Sequence, residues 1–124
     1  MSGNNYPWLD AWCLSKPGSD KHYKDTWDAT LYTLAGKLFV LWFEDRHGKT
    51  MINLKLEPSY GMALRLEYPD ITPGYHMNKL HWVTLRLDGT VPDELVRDIV
   101  DESYRIILRS LPKKTQRAIE AGNA

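Results

Sequence analysis

Between Thr30 and Leu56 three apolar stretches follow one another with only short turn signals between them. Thr30–Leu34 is β-branched and apolar, and Gly36-Lys37 reads as a hairpin turn. Leu38–Phe43 is the most apolar run in the chain, and Glu44–Lys49 is a charged turn containing Gly48. In Thr50–Leu56, Ile52, Leu54 and Leu56 alternate with Met51, Asn53 and Lys55. A period of two marks a strand with one buried face. Connections this short join antiparallel neighbours, because parallel strands need a long crossover. The segment therefore predicts an antiparallel meander with Leu38–Phe43 at its centre. Ser19–Asp28 is polar, with His22, Tyr23 and Trp27 embedded. It adds a short strand or an irregular segment, making three or four consecutive strands.

The flanks read as helices. Met1–Tyr6 is expected to be a frayed tail. Pro7 suits a first helical turn, and Trp8, Trp12 and Cys13 share one stripe with Leu9 beside it. Pro17-Gly18 should stop this helix at Lys16. Glu57-Pro58 opens a second helix through Glu67, with Tyr60, Ala63 and Leu64 at helical spacing. Gly61 weakens it. The clearest helix opens at Thr90–Asp93: Leu95, Val96, Ile99, Val100, Tyr104, Ile107, Leu108 and Leu111 recur at three- and four-residue spacings. Pro112 breaks it, and Lys113–Ala121 predicts a mainly polar last helix anchored by Ala118 and Ile119. The economical packing is α+β: one antiparallel sheet of four to five strands with helices on one face. The other face, partly open, is where a binding surface is expected.

A chain of 124 residues with no linker or repeat suits one domain over residues 1–124. Its 16 basic and 16 acidic side chains cancel. No global field draws it to nucleic acid or membrane, so any such contact needs a locally segregated basic face. Cys13 is the only cysteine, so no intrachain disulfide forms and a reducing, cytoplasmic compartment is expected. No apolar stretch is long enough to span a bilayer.

Pro69–Gly89 joins a loop to a strand. Pro73-Gly74 favours a tight turn. Trp82, Thr84, Arg86 and Asp88 then alternate with Val83, Leu85 and Leu87 before a turn at Asp88-Gly89. Between them stand Tyr75, His76, Met77, Asn78, Lys79, His81 and Trp82. Here the chain resembles the MmcQ/YjbR family of small bacterial proteins. The marks are Lys16-Pro17-Gly18, Gly36-Lys37-Leu38-Phe39, Asn53-Leu54-Lys55, Pro73 through Lys79, His81-Trp82, Leu87-Asp88-Gly89 and Leu108–Leu111. The resemblance implies a compact fold similar to CyaY, the bacterial frataxin homologue. It also implies a suggested DNA-binding role through a double-wing arrangement of hairpins. Where members often carry a Pro-Phe-Gly-like element, this chain has Tyr23-Lys24-Asp25-Thr26-Trp27. The frataxin comparison carries no iron binding here, because the first helix holds only Asp10.

Three chemistries are weighed on these residues. Catalysis would use His76 or His81 as a base, with Tyr23, Ser59, Tyr75 or Thr84 as partner, and a deep pocket holding both histidines would suit a small ligand equally. No nucleophile elbow or paired-carboxylate signature accompanies them, and Cys13 reads as an inert buried thiol. Metal binding would use His22, His47, His76 and His81, with Asp70 completing a site. No metal-ligand spacing is present, so neither a metal nor another cofactor is expected.

Nucleic-acid contact leads. Lys55, His76, Asn78, Lys79 and Arg86 would reach phosphates, His81 would stand beside them, and Tyr75 and Trp82 would stack on bases. Arg46, His47 and Lys49 would form a wing, and Arg65, Lys113, Lys114 and Arg117 are further cations. The bland alternatives are solvated charges and a loop locked by Gly74 and Asn78, with His81 bonding a loop carbonyl and Trp82 sealing the sheet edge. The expected partner is DNA. The alternative is a partner protein met by the open sheet face or an edge strand, with the chain a monomer or weak dimer.

Overall fold

The structure is a computed structural model, and it describes residues 4–122. Among them the chain runs α1 (Leu9–Leu14), β1 (Ser19–Lys24), a 3-10 turn (Asp25–Trp27), β2 (Ala29–Leu34), β3 (Lys37–Glu44), β4 (Thr50–Lys55) and α2 (Pro58–Glu67). It continues with β5 (Ile71–Pro73), β6 (Trp82–Arg86), α3 (Asp93–Arg109) and α4 (Lys113–Glu120). The strands form a six-stranded antiparallel sheet in the order β1-β2-β3-β4-β6-β5. The α+β class and the meander stand, but the sheet exceeds the expected four to five strands. The extra strand is β5, inside the stretch read as loop. Ile71–Pro73 carry no periodicity of their own, and only their antiparallel pairing with Val83, Thr84 and Leu85 makes them a strand.

The turn between β2 and β3 sits one residue earlier than expected. Leu34 pairs with Lys37, and the two loop residues are Ala35 and Gly36, at φ 50° and 80°. A two-residue hairpin whose twist matches its strands needs positive φ at both positions. Gly36 accepts this freely; Ala35 adopts it under strain.

Alternation assigns the faces. Tyr32, Val40, Ile52, Leu54, Val83 and Leu85 point to one side. They share a core with Leu9 and Cys13 of α1 and with Val96, Ile99, Val100, Tyr104 and Ile107 of α3. The α3 helix lies across β3 and β4. Its Ser103 is fully buried and ties it to both strands: the hydroxyl donates to the Phe39 carbonyl (2.6 Å) and accepts the Lys55 N–H (2.9 Å).

Two ends differ from expectation. The first helix ends at Leu14, two residues before Lys16. It is short, and it docks on α3: Trp12 Nε1 donates to Asp101 (2.9 Å), and the Arg97 guanidinium lies 4.3 Å from the centre of the Trp8 ring. The expected frayed tail is anchored from Asn5; Met1–Gly3 lie outside the described residues. The Asn5 N–H reaches the Leu87 carbonyl (2.7 Å), and Tyr6, 1% exposed, donates its hydroxyl to the Val91 carbonyl (2.8 Å).

Ser103→Ala should destabilise the fold by about 1–3 kcal/mol, because the Lys55 N–H and Phe39 carbonyl lose their buried partner together. Denaturant unfolding measures it, and an unchanged midpoint would remove Ser103 as the link between α3 and the sheet.

Candidate functional site

The second face of the sheet carries Ala29 and Leu31 of β2, Leu41 and Phe43 of β3, Met51 and Asn53 of β4, and Thr84 and Arg86 of β6. On a solvated face such apolar groups would cost free energy, and Asn53 and Thr84 would meet water. Instead Asn53 is 0% and Thr84 1% exposed, because the loop between β5 and β6 folds back over them.

Three hydrogen bonds hold that loop in a ring. The Tyr75 N–H donates to Thr84 Oγ1 (2.8 Å), Thr84 donates to Asn53 Oδ1 (2.5 Å), and Asn53 Nδ2 donates to the Tyr75 carbonyl (3.0 Å). The N–H and the carbonyl of Tyr75, one from each peptide unit flanking it, are thus satisfied by strand side chains. The rest of the loop closes on itself. The Gly74 N–H reaches the Trp82 carbonyl (2.9 Å), and the Trp82 N–H reaches the Asn78 carbonyl (3.0 Å). Asn78 Oδ1 accepts from the N–H groups of Leu80 and His81 (2.9 and 3.2 Å), and Lys79 Nζ donates to the Gly74 carbonyl (2.8 Å). Gly74 has no positive φ. It is needed for room: a Cβ there would stand 2.7 Å from Trp82 Cβ and 2.9 Å from its carbonyl oxygen. The strained residue is His76, at φ 60°.

So fixed, the loop walls a cleft of about 540 Å³. Ala29, Leu41 and Phe43 form its floor; Tyr75, His76 and Met77 form one side. The Tyr75 ring stacks on Phe43 (5.8 Å between centres, 12° between planes), and the His76 ring lies 4.0 Å from Tyr75. Trp27 stands at the other side, 54% exposed. The 3-10 turn carries it: Asp28 takes the left-handed conformation (φ 49°), the Tyr23 hydroxyl bonds Asp28, and Lys24 Nζ lies 3.7 Å from the centre of the Trp27 ring. Asp45 and Arg46 of the β3–β4 hairpin close the end.

The residues singled out from the sequence do not form one surface. Tyr75, His76 and Arg46 line the cleft. His81 does not; it is half-buried behind the loop, its N–H on Asn78 and its carbonyl accepting from Leu56 (2.8 Å). Asn78 and Lys79 are exposed, but their polar groups are taken up by the loop backbone. Arg86 binds Asp88 through Nε (3.1 Å) and Nη2 (3.2 Å), and Lys49 reaches the same carboxylate (3.4 Å). The hydrogen bond from Arg86, chiefly, holds the Asp88 carboxyl below its usual range. Lys55 lies opposite Trp82 in the β4–β6 pair. Trp82 is half-buried and stands outside the core cluster. His47 sits in its turn, its N–H on Asp45 (2.8 Å). Asp70 accepts the Thr90 N–H (3.0 Å) and serves the turn after β6.

Among the described residues no three His, Cys, Asp or Glu groups converge as metal ligands. None of their helices is long and apolar enough to cross a membrane. Cys13 is buried, and that burial pushes its thiol up to about 12.

Trp27, Leu41, Phe43 and Asn53 escaped the sequence reading as site residues. The signal was present in Leu38–Phe43: a strand apolar at every position has both faces covered, and an alternating one has only the inner face covered.

Thr84→Val keeps the shape and removes both bonds of the hydroxyl. It should cost about 1–3 kcal/mol and speed amide exchange at Tyr75; an unchanged Tyr75 amide would exclude the ring as the loop's anchor. The Asp88 contribution carries a definite sign. A depressed carboxyl stabilises the fold above its ordinary pKa of about 3.9 and loses that contribution as pH falls through the folded value. Asp88→Asn should flatten this part of the acid limb in unfolding followed against pH.

Comparison with known proteins agrees with this architecture. A family model described as YjbR matches residues 14–106. The chain is 31% identical over 108 residues to the uncharacterized protein YjbR of Escherichia coli K12, covering 87% of this chain and 91% of that protein. It is 35% identical over 92 residues to the uncharacterized protein YbdF of Escherichia coli O157:H7, covering 74% and 75%. A crystal structure of a Deinococcus radiodurans protein with a DUF419 domain superposes with a TM-score of 0.81 at 28% identity, over 94% of this chain and 88% of that one. A Pseudomonas syringae protein shares the fold with a TM-score of 0.72 at 23% identity, over 85% and 99%.

Proposed function

The chain belongs to the YjbR family, and we propose that it is a non-enzymatic binding domain taking a flat, largely apolar small molecule between Trp27 and Tyr75. The cleft carries this reading. Its volume of about 540 Å³ falls within the range of roughly 300–1,000 Å³ typical of small-ligand sites. Its floor is aliphatic and aromatic, and one wall is fixed by buried hydrogen bonds before any ligand arrives, which lowers the ordering cost of binding. Reaction chemistry has less support. His76 lines the cleft without His81, so the two imidazoles do not act on one substrate. A reducing, cytoplasmic setting is part of the proposal, supported by the lone buried thiol.

A second reading, contact with a nucleic-acid backbone, is favoured by a different region. Arg109, Lys113, Lys114 and Arg117 are exposed at the α3–α4 end, and none has a carboxylate partner among the described residues. Lys37 joins them, its Nζ 3.4 Å from Ser110 Oγ. In a chain of zero net charge this is local segregation of the kind phosphate binding requires. Protein recruitment along the free edge of β1 has less support: Asp20, Lys21, His22 and Lys24 occupy that strand, and charges along an edge oppose strand addition.

A two-dimensional NMR titration with flat aromatic fragments tests the leading reading. Shifts should gather at Trp27, Leu41, Phe43, Asn53 and Tyr75–Met77, and Leu41→Trp, which fills the floor, should abolish them. Fragments that perturb nothing there at millimolar concentration would end it. For the second reading, duplex DNA should bind at low salt and weaken with added salt. Lys113→Glu with Arg117→Glu should remove that binding; retention by the double variant would exclude α4.

A further inference from the structure

Resting on the small-ligand reading of the cleft, we infer that its ligand is an anion: an aromatic ring bearing a carboxylate, sulfonate or phosphate, with the acidic group at Arg46. The charges around the cleft lead there one at a time. Besides the Tyr75 phenol, four ionisable residues line it: Glu44, Asp45, Arg46 and His76. Phe43 faces the cleft, since its ring stacks on Tyr75, so strand alternation turns the Glu44 side chain to the opposite face. Asp45 is occupied by its own turn: Oδ1 accepts the N–H groups of His47 (2.8 Å) and Lys49 (2.9 Å). The imidazole of His76 lies against Tyr75.

Arg46 is left as the lining charge with no counter-ion. It is exposed at the hairpin tip, and no carboxylate among the described residues bonds it. Across the cleft, the Lys24 ammonium sits over the Trp27 ring. Of the carboxylates on that turn, Asp28 is bonded by Tyr23 and Asp25 does not line the cleft. Two cations, Arg46 on the lining and Lys24 over the Trp27 ring, thus flank the apolar floor, and the carboxylates nearest them are engaged in their own turns. A guanidinium so placed matches a planar or tetrahedral oxyanion through paired N–H donors.

Two fluorescent probes separate this inference from the reading beneath it. Anilinonaphthalene sulfonate and neutral phenylnaphthylamine share their rings and differ in the acidic group. Each is titrated into the folded wild-type chain, Arg46→Gln and Arg46→Lys. The sulfonate should bind the wild type about tenfold more tightly than the neutral probe, a difference of one decade in Kd. Arg46→Gln should erase most of that preference and leave the neutral probe unchanged, and Arg46→Lys should keep part of it. Equal affinity of the two probes for the wild type would overturn the anion and leave the ligand reading standing. A preference that survives Arg46→Gln would overturn Arg46 as the anchor. Binding of neither probe would remove the ligand reading itself.

Discussion

The backbone of Tyr75 is where the two halves of this structure meet. Its N–H and carbonyl reach across to Thr84 and Asn53, and those two side chains complete the ring by bonding each other. Buried polar groups tolerate no half measures: satisfied, they specify one arrangement, and unsatisfied they cost more than an apolar pair would. With the ring closed, Tyr75 stacks on Phe43 and His76 takes its positive φ. The mouth of the cleft follows from those two facts.

Polar residues that look ready for an external partner are likewise engaged within the chain. Asn78 and Lys79 complete the loop's own backbone bonding, and Arg86 and Lys49 share Asp88. A loop that crosses a sheet without regular structure must satisfy its amides and carbonyls somehow, and this one recruits its own side chains. Arg46 differs because the hairpin turn is already satisfied by Asp45.

How much of this was legible depends on the range of each interaction. The meander, α2 and α3 follow from patterns within a few residues: alternation in Thr50–Leu56, Pro58 at a helix start, and the three- and four-residue spacing from Leu95 to Leu111. The segment at Tyr75–Lys79 stands out in the sequence as a dense mix of aromatic, imidazole, amide and ammonium groups. What its side chains do was not readable. Whether Lys79 meets a phosphate or the Gly74 carbonyl depends on a fold-back of five residues, and whether Arg86 is free depends on Asp88 and on Lys49, which is distant in sequence. Trp27 was hidden for the same reason. A polar segment with one tryptophan becomes a wall only through the left-handed Asp28 and the neighbouring Lys24. The extra strand β5 and the anchored Asn5–Tyr6 segment likewise exist only through partners far along the chain, at Leu85, Leu87 and Val91.

The cleft is assembled from pieces far apart in the chain: Trp27 to Arg46 on one side, Tyr75 to Thr84 on the other. During synthesis the first part emerges while the second is still unmade. Until β6 pairs with β4, Leu41 and Phe43 have no loop above them. A nascent or truncated chain ending before Thr84 thus presents a bare aromatic and aliphatic stripe, the kind of surface that chaperones engage and that drives aggregation. The finished cleft is accordingly a marker of complete folding, and a ligand seated in it would reward only chains that have reached that point.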